Sequence, residues 1–215
     1  MAKEILANNP NTPPLSPKTI EQFTKVKSVV AGVGIDDAGV RLKAIANLDP
    51  ASIKVEFKPA SGQIVSLLPA DTFLLINGNS IKTYWQGFVE QAQSDSQLEK
   101  GLEQSKKQIK LMTKLDLDKD IFGWMDGEFA IAAIPADKGI LKQLGFGGAI
   151  ILQTSNRATA EATTVKVDTL AKGNGIKVAE RDIQGKKFTD WEIIQQGTLL
   201  SHAWLDQNTL LIAIG

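Results

Sequence analysis

The sequence predicts an α+β fold, a mostly antiparallel sheet with helices on one face. Three observations lead there. Several stretches alternate apolar and polar residues and end in turn formers. Other stretches between them repeat apolar residues at helical spacing instead. From Thr72 onward the order reads strand, helices, strand, strand, helix, strand, then three more strands. The first six match the split βαβ order of ferredoxin-like units, with hairpins added.

The elements follow in chain order. Asn8 to Pro17, "NNPNTPPLSP", holds four prolines in ten residues and reads as an extended arm. Residues 1–24 are therefore a Pro-rich arm or linker. In "KVKSVVAGVGIDDAGVRLKAIANL" (Lys25–Leu48), Val29, Ala31, Val33 and Ile35 alternate, as do Val40, Leu42, Ala44 and Ala46. "DDAG" supplies the turn, which predicts a β-hairpin with one buried face. "IKVEFKP" (Ile53–Pro59) adds a short strand or edge, and residues 25–66 form the hairpin segment.

Residues 67–215 are assigned to the α+β domain. A strand spans Thr72–Ile76, Asn77-Gly78-Asn79 is its turn, and Ser80 caps a helix. Ile81, Tyr84, Trp85, Phe88, Val89 and Ala92 give that helix one apolar face. "SDS" at Ser94–Ser96 interrupts it, and Leu98, Leu102, Ile109 and Met112 continue a thinner stripe. Strands follow at Gly127–Pro135 and Gly147–Thr154. An alanine-rich helix then ends at Gly173-Asn174-Gly175. Ile176–Ile183, Lys187–Ile194, Leu199–Leu205 and Thr209–Ile214 complete the sheet.

Composition removes several functions. Lysine plus arginine equals aspartate plus glutamate at 24 each, so no net field recruits nucleic acid. There is no cysteine, which excludes disulfides, zinc–thiolate sites and cysteine nucleophiles. No apolar run reaches the ~18 residues of a membrane span, and the first residues lack the pattern of a secretory signal. Gly32, Gly34 and Gly39 are wrongly spaced for a dinucleotide loop, and a strand follows them where a helix is needed.

The remaining motifs each weigh chemistry against architecture. In "LDLDKDIFGWMDGE" (Leu115–Glu128), Asp116, Asp118 and Asp120 match the first ligands of a calcium loop. The sixth position is Ile121 instead of glycine, and Glu128 falls one place late. Leu117, Ile121, Trp124 and Met125 instead mark one helical face, on which Asp116 and Asp118 lie roughly 200° apart. Helix capping is the better account, and neither a metal nor any other cofactor is expected. His202 alternates with Leu200 and Trp204, while Ser201 points to the other face. No G-x-S-x-G occurs, so His202 is read as a structural histidine. Asp126 and Glu128 are read as a turn residue and a strand-rim residue, in preference to a paired acid and base. No catalytic residue is assigned.

Tyr84, Trp85, Phe88, Trp124 and Trp204 have an alternative role as the lining of an apolar ligand site between sheet and helices. Core packing is the simpler role. Three functions therefore stand side by side: a non-catalytic interaction domain, a carrier of a lipid or pigment, and an enzyme using Asp126, Glu128 or His202. The last requires those three to converge in one open cleft.

"LLPADTFLLINGNSIKTYW", "LDLDKDIFGWMDGEFAIAAIP" and "SHAWLDQNTLLIAIG" carry a resemblance from about Lys25 onward. The chain resembles a cyanobacterial family of large uncharacterised proteins, the domain of unknown function 3352. The shared features are the Pro-x-Asp entry to a strand and a helix before W-x-D-G-E-F-A. The resemblance implies longer relatives with an N-terminal hydrophobic anchor and an exported body. It further implies that this chain is a fragment or a shortened member, with the hairpin ending a preceding unit. It supplies no catalytic residue, and no protein partner follows from it.

Overall fold

The computed structural model describes residues 26–36, 39–48 and 58–215, and the chain divides into two compact units, 1–56 and 57–215. The Pro-rich arm, the tip of the hairpin turn and most of "IKVEFKP" lie outside the described residues. The contact boundary falls ahead of the expected residue 67. Residues 57–66 belong to the larger unit because Ile64 is buried in it and Ser61 bonds to Glu128.

In the smaller unit β1 (Val26–Asp36) and β2 (Gly39–Leu48) pair antiparallel, with Ile35 opposite Val40 and Val33 opposite Leu42. The expected buried face is open: Val29, Val33 and Ile35 are all exposed. A two-stranded ribbon has no second layer of its own to cover such a face.

The larger unit is one seven-stranded antiparallel sheet with the order β3-β4-β5-β9-β8-β7-β6. The strands are β3 (Leu74–Asn79), β4 (Glu128–Pro135), β5 (Phe146–Gln153), β6 (Lys177–Ile183), β7 (Lys186–Ile193), β8 (Gly197–Trp204) and β9 (Thr209–Ile214). The α+β class and the antiparallel sheet are as the sequence predicts. The split βαβ order is present, but β3 lies antiparallel beside β4. The last strand, β9, runs between β5 and β8.

Three helices, α1 (Ile81–Gln93), α2 (Ser96–Thr113) and α3 (Arg157–Gly173), connect these strands. Ser80 caps α1 as expected: its Oγ accepts from the Thr83 amide at 3.1 Å, although its φ of 61° is uncommon for a serine. Asp95 starts α2 by accepting from the Gln97 and Leu98 amides. Asn156 starts α3, with its side chain on the Thr159 amide.

Side chains alternate across each strand, so register assigns the two faces. One face carries Leu152 and Leu210, which form a core with Trp124 and with Ala160 of α3. The other face carries Ala130 and Ile151, covered by Ile64 of the 3-10 turn Gln63–Leu67. The long helices thus pack on one side, and a single turn of chain covers the middle of the other.

The expected turn at Asn77-Gly78-Asn79 is the second half of β3, paired with Ala130, Phe129 and Glu128. Gly78 is there to be covered: a Cβ on it would meet the Phe129 ring at 2.7 Å. Turn-forming letters therefore mark a close approach between neighbouring strands.

Candidate functional site

The acidic stretch is built as caps. Asp116 accepts from the amides of Asp118 and Lys119, and Lys110 bonds its other oxygen at 2.9 Å. The Lys110 ammonium, with those amides, holds the Asp116 carboxyl below its usual range. Asp118 points elsewhere, accepting from Trp85 Nε1 at 2.6 Å and pairing with Lys106 at 3.1 Å. Asp120 accepts from the Asp116 amide and meets Lys166 of α3 at 3.4 Å. Each carboxylate thus has its own set of protein partners.

The backbone over Leu117–Ile121 is one π turn, followed by a 3-10 turn over Phe122–Trp124, where a single regular helix was expected. Gly123 allows the tight passage, since a Cβ there would lie 2.7 Å from the Asp118 carbonyl oxygen. Trp124 still reaches the core and donates its Nε1–H to the Asp120 carbonyl at 2.9 Å.

Asp126 accepts from both the amide and the hydroxyl of Ser155, just ahead of α3. Gly127 lies against the Gln153 carbonyl, where a Cβ would be at 2.7 Å. Glu128 begins the face opposite the helices and accepts from the Ser61 amide. The Ser61 hydroxyl and the amides of Ser61, Ile64 and Gly62 lower the Glu128 pKa, against the desolvation that raises it. One carboxylate oxygen, Oε2, is sealed from solvent.

His202 lies on the helix-bearing face. Its Nε2 is 2.9 Å from Asp168 Oδ1 of α3, and both side chains are largely covered. The same Asp168 oxygen accepts from Trp191 Nε1 at 2.7 Å. Ser201 points the other way and bonds the buried Asp190 at 2.5 Å. Asp126, Glu128 and His202 therefore engage separate partners, with Glu128 and His202 on opposite faces of the sheet.

The five aromatic candidates do not line one chamber. Trp124 is in the core, and Trp204 packs beside it beneath the Arg157 guanidinium, 4.4 Å from the ring centroid. Trp85 stacks on Phe122 at 4.2 Å, with the Lys106 ammonium over its ring. Tyr84 packs edge-on against Phe129 and stays half exposed, as does Phe88. A groove of about 450 Å³ opens beside them, but its walls are charged: Glu103, Lys106, Lys107 and Lys110 face Asp116 and Asp118. Three cations against three carboxylates leave it without net charge.

In the larger unit a run of exposed apolar residues lies at the sheet edge. Phe73, Leu74, Leu75 and Ile76 are consecutive and 62%, 51%, 38% and 57% exposed, and Ile131 on β4 is open beside them. Among the described residues no strand pairs with the outer side of β3. The signal was in the sequence as "TFLLIN", four large apolar residues in a row where a half-buried strand should alternate.

These features define an α+β domain with a run of exposed apolar residues on one sheet edge. The chain belongs to the family described as "Protein of unknown function (DUF3352)", whose profile matches residues 1–215. No curated protein and no solved structure matches it.

Proposed function

We propose that this is a non-catalytic interaction domain of an exported or envelope protein, engaging its partner through the outer edge of β3. The observation that carries the reading is the run Phe73–Ile76, exposed and uncharged on a strand whose outer side pairs with no other strand among the described residues. Such an edge is a template for adding a strand. The internal partners of Asp126, Glu128 and His202 support the non-catalytic side of the reading. No helix among the described residues is long and apolar enough to cross a membrane.

A photoreactive phenylalanine analogue in place of Phe73 tests this in the cells that make the protein. One discrete adduct from position 73, and none from an analogue at Glu180 on the far edge, is the expected result. A smear from both positions, or no adduct, would sink it.

A second reading, a carrier of an apolar molecule, draws on Tyr84 and Phe88, which hold half-exposed rings beside the sheet. Native mass spectrometry of the purified chain decides it. A stoichiometric lipid or pigment retained by the wild type and lost from Phe88→Ala supports a carrier, and a bare chain rejects it.

A further inference from the structure

We propose that the partner at β3 is a second copy of this chain, joined edge to edge and antiparallel about a two-fold axis between the two β3 strands. The inference rests on the interaction reading above and names the occupant of that edge.

The two edges of the sheet are built differently. β6 carries Lys177, Glu180, Arg181 and Asp182 along seven residues. Charges of this kind keep an edge from pairing with other chains. β3 and the residue before it, Phe73–Asn79, carry no charge and no proline. The device that protects one edge is missing from the other.

Self-pairing suits this uncharged strand better than a charged partner does. An antiparallel pair about a two-fold axis at Leu75 sets Leu75 against its own copy and Leu74 against Ile76. With no charge on the strand, the symmetric pairing places no like charges opposite one another. Every strand pair in the sheet is already antiparallel, so the added pair continues the same ladder. Phe73, Leu74, Leu75 and Ile76 are all exposed, so pairing along this edge withdraws apolar surface of each copy from water.

The test uses the full chain. Sedimentation over a concentration series should give the mass of two chains, and Ile76→Lys, which puts an edge-protecting charge into the paired strand opposite Leu74, should give one chain with an unchanged circular dichroism spectrum. Glu180→Leu on the far edge should leave the dimer intact. The absence of cysteine provides a second measurement should Ile76→Lys misfold. Under mild oxidation, Leu75→Cys should form a disulfide-linked dimer, and Glu180→Cys should not. A wild-type chain that stays monomeric at ~100 µM, or a dimer indifferent to Ile76→Lys, would overturn the proposal. If the Phe73 adduct above then contains a different protein, the homodimer fails while the interaction reading survives. No adduct at all would remove both.

Discussion

Glu128 and Ser61 stand 67 residues apart and are joined by a hydrogen bond from the Ser61 amide to the Glu128 carboxylate. This contact holds the Gln63–Leu67 turn against the sheet, where Ile64 covers Ala130 and Ile151. The glutamate of "DGEF" is therefore a clamp. Replacing it with glutamine removes a charge-assisted contact and should destabilise the domain by roughly 1–3 kcal/mol at neutral pH, measured by urea unfolding.

The same clamp has a defined pH dependence. The folded-state pKa of Glu128 is depressed from its ordinary 4.5. Its contribution is therefore complete above that value and is lost as pH falls through the lower folded value. The stability difference between wild type and Glu128→Gln should be largest near pH 7 and shrink toward pH 3. A difference that is constant across this range would assign the effect to packing.

Ile64 is 1% exposed and is the main apolar cover of its face. Ile64→Ala should cost about 2–5 kcal/mol by the same unfolding measurement. Proteolysis under native conditions should then cut first within residues 58–68, because the clamp and the buried side chain secure the same short segment.

Asp168 receives two donors on one oxygen, from Trp191 and His202. Asp168→Ala strands both on the partly covered face and should destabilise the domain by about 2–4 kcal/mol. Asp168→Asn retains an acceptor oxygen and should cost markedly less. Equal losses from the two variants would show that the oxygen is not what matters.

Gly123 passes beneath the Asp118 carbonyl with no room for a methyl group. Gly123→Ala should force the π turn open, at a cost of roughly 1–3 kcal/mol. It should also displace Asp118 from Trp85, which tryptophan fluorescence would report. An unchanged emission spectrum with lowered stability would confine the disturbance to the backbone.

Much of the fold was legible because its signals are local. The β6–β9 meander has short connections, and Ser80, Asn156 and the Gly173-Asn174-Gly175 end mark helix boundaries from their own neighbourhoods. The failures are non-local. Asn77-Gly78-Asn79 reads as a turn until Phe129 is known to sit on Gly78. Leu117–Trp124 has helical spacing, yet Trp124 reaches the core through a π turn and a 3-10 turn. Of the candidate residues, the alternation correctly placed His202 away from Ser201, but nothing near Glu128 announces Ser61. A partner that distant leaves no trace in periodicity.

The position of β9 bears on how the chain matures. Strands β3–β5 and β6–β8 form two half-sheets, and residues 209–214 are the seam that joins them. Until that strand is in place each half keeps an unpaired edge, one at β5 and one at β8. Truncation before Thr209 should therefore yield two disconnected fragments of structure instead of a slightly smaller domain.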